Sequence, residues 1–307
     1  MSIPKKSKNM RIGRMARGAI AAMLAVLTCV FSASIPAFAA ETGGVTVVEG
    51  TSYSFPTNSS SVNITLDGKR ILEDDAVIIN SVTYVPVRRF SEIVGAQKIS
   101  WNANTRTATV ISGSTNITIA EGGYYISAND RCFYTVERIL NIDGRLFVPV
   151  RAISKAFCIE VGWNPKTRTA ELTTTGKKLV SGADFYKSND LYWLSRIISA
   201  ESSGEVLKGK IAVGNVVLNR VESKSYPNTV YGVIFDRKHG TQFSPVSLGT
   251  IYKAPTAESI VAAKICLEGY SISESILFFM NPRIATNNWI SKNRPFAFTI
   301  GNHDFYY

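Results

Sequence analysis

The sequence contains few of the residues that most protein metal sites require. It has only two histidines and four cysteines, which are His239, His303, Cys29, Cys132, Cys158 and Cys266. These residues are too widely spaced for a CxxC motif, a disulfide framework or a zinc site, so we expect no metal and no cofactor. Cys132 and Cys158 fall in one region and could pair, whereas Cys266 follows an apolar helical pattern and is expected to be a buried thiol.

Two further absences exclude other classes of protein. Beyond the first 39 residues no Lys/Arg-rich run is interleaved with aromatic residues, so nucleic-acid binding is not expected. More than half of the formal net charge of +11 lies within those 39 residues, and the mild positive excess that remains suits association with an anionic cell wall. The sequence also lacks the His/Cys/Asp constellation that an amidase or a peptidase would need.

Residues 1–39 have the layout of a secretory signal peptide. Six basic residues precede an apolar run that extends from Gly18 to about Phe31, and Ala37-Phe38-Ala39 is a site of the kind that signal peptidase accepts. The run is shorter than the roughly 20 residues that span a bilayer, and small residues do not precede Cys29 as they would in a lipoprotein. We therefore expect cleavage after Ala39 and export of the protein.

An internal repeat follows a Gly/Ser/Thr-rich lead-in over residues 40–61. The segment YVPVR at 84–88 recurs as FVPVR at 147–151, and each copy continues through a short helical pattern to WNANTRTATV or WNPKTRTAEL. Alternating apolar residues predict strands, including the VPVR segments, and Asn-Ala-Asn and Asn-Pro-Lys predict the tight turns of hairpins. Neither copy could bury a sizeable core alone, so the two are expected to form one small β-rich domain.

This twin pattern resembles the copper amine oxidase N-terminal-like domain over residues 62–173. No histidine lies between those positions, so a copper site is not expected despite the name. An adhesion module and a purely structural spacer both remain open as its role. A polar linker is expected over residues 174–188.

One carboxylate interrupts an apolar stripe in the region beyond the linker. Ser188 or Asn189 can cap a helix on which Leu194 and Ile197 lead by steps of three and four to Glu201, directly before Ser202-Ser203-Gly204 ends the pattern. A partly desolvated carboxyl at the negative end of a helix should have a raised pKa, as a glycosidase acid requires. Periodicity alone favours an ordinary helix-terminal Glu.

Six short motifs favour a catalytic role for Glu201 over that of an ordinary helix-terminal residue. In order they are AESSGE, KIAVGNVVLNRV, YPNTVYGVIF, QFSPV, FFMNP and GNHDFY, and their order and spacing over residues 189–307 resemble the spore cortex-lytic and cell wall hydrolase family (SleB-type). The resemblance implies a lysozyme-like α+β domain that follows the β-rich duplicated domain in a multidomain chain.

The resemblance also implies site residues. Glu201 maps onto the catalytic acid of the family and Glu205 onto its second, supporting Glu. The implied substrate-binding residues are Gln242, Phe243, Ser244, Asn281, Trp289 and His303. A sugar face would be covered by the Phe243 ring, while His303 is either a base or a structural residue.

The expected activity is cleavage of peptidoglycan between N-acetylmuramic acid and N-acetylglucosamine, in a wall-associated or spore-associated location. One embedded Glu without an obvious partner favours a lytic transglycosylase. A hydrolytic muramidase or glucosaminidase remains the alternative within enzymes, and an inactive wall-binding protein the alternative outside them. Spore cortex and vegetative wall are both open as substrates, as is recognition of muramic-δ-lactam.

Overall fold

The computed structural model describes residues 53–307 apart from His239 and Thr241. These residues form a β-rich N-terminal part and a C-terminal part in which helices pack against a small sheet. The two-part architecture expected from the sequence is therefore confirmed. The expected signal peptide and residues 40–52 of the expected lead-in lie outside the described residues.

Three antiparallel or mixed sheets make up the N-terminal part. Its strands are β1 (Ser59–Ser61), β2 (Asn63–Leu66), β3 (Lys69–Ile71), β4 (Val77–Ile79), β5 (Val82–Pro86), β6 (Lys98–Asn102), β7 (Thr107–Ser112), β8 (Thr115–Ala120), β9 (Tyr125–Ala128), β10 (Arg131–Tyr134), β11 (Leu140–Ile142), β12 (Arg145–Pro149), β13 (Ile159–Asn164) and β14 (Thr169–Thr174). Its helices are α1 (Val87–Ile93) and α2 (Val150–Ala156). The strand orders are β1-β4-β5-β12-β11, β10-β9-β8-β7-β6 and β13-β14-β2-β3.

The two VPVR segments have the same order of elements around them. Two strands, a helix and a hairpin follow one another as β4-β5-α1-β6-β7 and as β11-β12-α2-β13-β14. The predicted hairpin turns are confirmed, since the side chains of Asn102 and Asn164 each accept hydrogen bonds from the backbone N–H groups two and three residues on. The prediction that VPVR is a strand is confirmed for its first two residues and wrong for its last two. Pro86 and Pro149 end the strands, and a helix starts at the next valine because proline has no N–H to continue a ladder.

The segments expected to be flexible are packed. Residues 59–61 pair with β4, and the Tyr53 and Phe55 rings lie 5.0 and 5.6 Å from the Phe147 ring. The prediction of a flexible lead-in over 40–61 is therefore wrong for residues 53–61. Within the expected linker, Leu179 is 8% exposed and Tyr186 is 6% exposed, so both side chains contribute to packed cores.

The C-terminal part is organised around one buried helix. Its helices are α3 (Gly182–Phe185), α4 (Ser188–Ser202), α5 (Leu207–Glu222), α6 (Val230–Phe235), α7 (Ser244–Ser247), α8 (Ala257–Leu267) and α9 (Trp289–Asn293), and its strands are β15 (Phe278–Met280), β16 (Phe296–Ile300) and β17 (His303–Tyr306) in the order β15-β17-β16. Helix α5 packs against α4 and α8, and its Gly214 allows this contact. A Cβ at Gly214 would lie 2.7 Å from the Cys266 sulfur and 2.9 Å from Ile198. In the part of the chain that the structure describes, no helix has the length and apolar character to cross a membrane.

A buried ion pair joins the two parts. Arg131 of β10 donates two hydrogen bonds of 2.7 Å to Glu268, just beyond α8, and the Tyr186 hydroxyl donates a third of 2.7 Å. Glu268 thus provides the counter-charge for Arg131. Cys132 and Cys158 are free thiols rather than a disulfide, and Cys266 is buried as expected.

Candidate active site

Helix α4 places Glu201 in its last turn, at the end of the apolar stripe. Leu194, Ile197 and Ile198 are fully buried, and Glu201 follows them on the same face as a partly buried side chain. The helix ends at Ser202, directly before the turn that contains Gly204. The position predicted from the sequence is confirmed, and its role stays a prediction.

Burial raises the pKa of the Glu201 carboxyl. Desolvation raises the pKa of this carboxyl to about 7, and the positive charge of Arg220 opposes the rise only in part. No second carboxylate of the described residues contributes to the raised pKa, although a like charge a few ångströms away would do so. At neutral pH, Glu201 therefore exchanges readily between its protonated and ionised forms.

Arg220 is a residue of this site that was not predicted. It lies in the last turn of α5, is 5% exposed, and donates from Nε to the Leu277 carbonyl at 2.8 Å. Its buried Nη1 has no hydrogen-bond partner among the described residues. Its guanidinium lies 5.2 Å from the centre of the Phe243 ring and 5.4 Å from that of Phe278. Arg220 thus connects Glu201 to the loop and the strand that carry the remaining motifs.

The segment Gln242-Phe243-Ser244 does not expose all three of the side chains that were expected to bind substrate. Phe243 is 3% exposed and lies in the core, so its predicted stacking on a sugar face is wrong: the ring is covered by Arg220 and by Phe279, whose ring centre is 6.3 Å away. Gln242 is partly buried and donates to the Gly240 carbonyl at 3.3 Å, while Ser244 is exposed at the start of α7. These two keep polar groups that a ligand can reach.

Trp289 and Asn281 lie beyond β15. The Trp289 ring is 49% exposed and is held 6.5 Å from the Phe278 ring, with the Arg294 guanidinium 5.2 Å away. The Asn281 side chain accepts a hydrogen bond of 3.0 Å from the Arg283 backbone and so shapes the turn after β15. Of the aromatic residues predicted to bind substrate, Trp289 is the one that presents a ring to solvent.

Glu205 holds the C-terminal hairpin in place. Asn302 donates to its carboxylate from the backbone at 3.1 Å and from the side chain at 2.9 Å. Burial alone would raise the pKa of Glu205, but these bonds and the charges of His303 and Lys210 outweigh it and lower the pKa. Gly301 permits the contact, because its φ is +60° and a Cβ there would collide with Glu205 Oε2. The geometry fits the supporting role given to Glu205.

His303 belongs to this hairpin rather than to an exposed groove. It is 6% exposed, its Nδ1 lies 3.7 Å from Glu205 Oε1, and its ring packs edge-on against Phe279 at 5.4 Å. Burial lowers its pKa despite the nearby carboxylates of Glu205 and Asp304. The prediction that His303 binds substrate is therefore wrong, since its side chain has almost no exposed surface.

The described residues do not fit a copper site in the N-terminal part. No histidine lies there, the Cys132 thiol is buried with its pKa raised to about 11, and no cluster of three His, Cys, Asp or Glu ligands occurs within residues 53–307 as described.

Comparison with known families identifies two kinds of domain. Residues 204–306 match the family model described as Cell Wall Hydrolase, and residues 65–180 match the Copper amine oxidase N-terminal domain. Both family resemblances seen in the sequence are thereby confirmed, and the C-terminal part carries a cell wall hydrolase domain.

Curated relatives share the C-terminal part. The spore cortex-lytic enzyme of Bacillus cereus is 38% identical over 120 residues, which are 39% of this chain and 45% of the relative, and that of Bacillus subtilis is 36% identical over 120 residues, 38% of its length. The chain thus spans less than half the length of these relatives. The catalytic domain of the germination-specific lytic transglycosylase SleB from Bacillus anthracis is 36% identical, is matched over 100% of its length and 42% of this chain, and has a TM-score of 0.37.

Proposed function

We propose that this protein cleaves peptidoglycan glycan strands as a lytic transglycosylase, with Glu201 as its general acid and base. The observation that carries the proposal is the partly buried Glu201 carboxyl at the end of α4, whose pKa desolvation raises to about 7. The names of the matched relatives, spore cortex-lytic enzyme and lytic transglycosylase, support the same substrate class.

The proposed reaction needs only one carboxyl. Protonated Glu201 donates its proton to the glycosidic oxygen between N-acetylmuramic acid and N-acetylglucosamine, and the bond to C1 of the muramoyl sugar breaks. The ionised Glu201 then accepts the proton of the muramoyl 6-hydroxyl, whose oxygen forms a bond to C1 and closes the 1,6-anhydro ring. The buried charge of Arg220 lowers the cost of the ionised form between these two steps.

Among the described residues, no carboxylate contributes to the raised pKa of Glu201. This favours the transglycosylase reaction over hydrolysis. A hydrolytic muramidase or glucosaminidase needs a partner carboxylate about 5–9 Å from the acid. Glu205 is engaged by Asn302, and Glu258 pairs with the buried Lys210 at 2.7 Å. Asp236, whose charge acts on Arg220, is the candidate base if water is the acceptor. An inactive wall-binding protein would not require an acid with a pKa near neutrality.

We further propose a division of labour along the chain. Residues 189–307 form a lysozyme-like catalytic domain in which Gln242, Ser244, Asn281 and Trp289 contact sugars. Residues 62–173 form the duplicated domain, residues 174–188 connect the two, and residues 1–39 direct export to the wall or spore. Digests of spore cortex and of vegetative wall, compared by muropeptide analysis, would identify the substrate.

The test is the Glu201→Gln variant on isolated sacculi and on soluble glycan fragments. Removal of the proposed proton donor should reduce the rate at least about a hundredfold without loss of fold by circular dichroism. Glu222→Gln is the matched control, because Glu222 is exposed at the end of the neighbouring helix α5, and it should retain full activity. Activity of Glu201→Gln within a few-fold of wild type would place the acid elsewhere.

A further inference from the structure

The N-terminal part contains a groove that the proposed chemistry does not use. It has a volume of about 1080 Å³ and lies around Trp163 of β13, with Tyr134 of β10 on one side and Tyr270, from the loop after α8, closing it from the C-terminal part. The Trp163 ring is 41% exposed. The volume is at the upper end of the range for small-molecule sites, which leaves space for several sugar rings.

The charged lining of this groove has one sign. Arg151, Lys155 and Arg168 line it, and no aspartate or glutamate does. All three cations are exposed, and none of them takes part in the ion pairs found among the described residues. Arg168 is oriented by the Ser60 hydroxyl at 2.7 Å, and Arg151 by the Val161 carbonyl at 3.1 Å. The other polar lining groups are amides and hydroxyls, including the buried Thr135 Oγ1, which has no partner among the described residues.

The first repeat has a corresponding groove, which can be compared with the groove around Trp163. It is lined by the equivalent motif residues, with Trp101 in the place of Trp163, but its volume is only about 300 Å³. Two of its three arginines have an acidic neighbour, since Arg88 lies 3.7 Å from Glu92 and Arg89 lies 2.8 Å from Asp75, while Arg145 lies over the Tyr53 ring.

One helix position carries a negative side chain in the first repeat and a positive side chain in the second. In the two aligned helices, RRFSE at 88–92 and RAISK at 151–155, Glu92 of the first repeat is replaced by Lys155 in the second. The arginine of the TRTA motif also changes partner, because Arg106 pairs with Glu121 whereas Arg168 bonds to a serine. The same framework therefore presents one groove lined by both acidic and basic residues and one groove whose charged residues are all basic.

We propose that the groove around Trp163 binds a carboxylate-bearing glycan strand. The exposed ring offers a flat apolar face to a sugar, the three cations attract carboxylates, and the amides and hydroxyls can bond to sugar hydroxyl and acetamido groups. Muramic acid units with their attached peptides supply both the rings and the carboxylates. The assignment rests on the proposed function for the identity of the polymer. It adds a second contact to the substrate, away from Glu201.

Binding is measured with the full chain carrying Glu201→Gln, so that the polymer is not consumed, on sacculi stripped of phosphate polymers. Trp163→Ala and Lys155→Glu should each weaken binding at least about fivefold, and Lys155→Glu should also reduce its dependence on salt. Trp101→Ala, the matched change in the first repeat, should remain within twofold. Lys155→Glu places at this position the residue type that the first repeat already holds, so it should fold.

Three results would overturn the assignment: equal binding by the Trp163 and Trp101 variants, unchanged binding by Lys155→Glu, or loss of wild-type binding once phosphate polymers are removed. Equal affinity for neutral chitin oligomers would also contradict it. Failure of the proposed function is seen separately. With Glu201 intact, the groove variants should cleave short soluble fragments at the wild-type rate. If the wild-type chain cleaves nothing, the proposed activity is refuted. If Trp163→Ala still weakens binding in that case, the groove assignment is supported independently of the activity.

Discussion

Replacement of Glu201 with glutamine is expected to change how the stability of the folded chain depends on pH. Burial raises the pKa of this carboxyl in the folded state from an ordinary value of 4.5 to about 7. Between these two pH values the folded chain retains a proton that the unfolded chain has released. The free energy of unfolding of the wild type therefore falls as pH rises from about 4.5 to about 7, and then levels off as far as Glu201 is concerned.

The size of the effect follows from the two pKa values. A difference of one in pKa corresponds to about 1.4 kcal/mol, so the cost of ionising Glu201 in the folded state is at most about 3–4 kcal/mol above pH 7. The side chain is partly exposed, which lowers the value that will be observed. Glutamine resembles the protonated form and carries no such cost. The Gln variant should match the wild type near pH 4 and exceed its stability at pH 8.

Urea unfolding of both proteins at a series of pH values measures this difference directly, because other titrating groups cancel in the comparison. Glu222→Gln serves again as the matched control and should follow the wild type at every pH. A Glu201→Gln chain whose advantage does not grow between pH 4 and pH 8 would show that the carboxyl is solvated and has an ordinary pKa. The physical basis for its role as an acid would then be lost.

Three other changes test separate contacts. Gly301→Ala should lower the free energy of unfolding by about 2 kcal/mol or more in urea titrations, because its Cβ would displace the Glu205 carboxylate; an unchanged midpoint would contradict that contact. Arg220→Met should move the basic limb of the pH–rate profile to higher pH, because the cation that favours ionised Glu201 is gone, whereas Arg220→Lys should leave it in place. Arg131→Met should cost about 3–5 kcal/mol by leaving a buried carboxylate unpaired, which calorimetry would detect as a lower Tm.

The sequence was most informative where hydrophobic periodicity is regular, although the predicted caps Ser188 and Asn189 lie inside α4, which follows Lys187. The helix that carries Glu201, the buried helix that follows it and the hairpins of the repeats were all placed from local signals. The position of Glu201 on an apolar stripe singled it out from the sequence alone. Steps of three and four from Val213 through Val216 and Val217 reach Arg220 in the same way, so the same signal was present there and was overlooked.

Tertiary contacts explain what the sequence did not show. Phe243 and His303 lie in motifs of the family, but side chains distant in sequence cover them, and no local pattern reports that. Glu268 has the surroundings of a solvated helical residue until Arg131, 137 positions earlier, is brought against it. The cationic groove was also missed, because it requires the comparison of two repeats in which Glu92 and Lys155 occupy equivalent positions.

Product analysis tests the central claim most directly. Peptidoglycan digested by the wild-type chain in heavy-oxygen water, reduced with borohydride and examined by mass spectrometry, distinguishes the two acceptors of the glycosyl group. If Glu201 acts as the single acid and base, the products are 1,6-anhydromuramoyl ends that borohydride cannot reduce and that contain no solvent oxygen. Reducible muramic acid or N-acetylglucosamine ends carrying one solvent oxygen would contradict the transglycosylase mechanism and make Asp236 the residue to examine next.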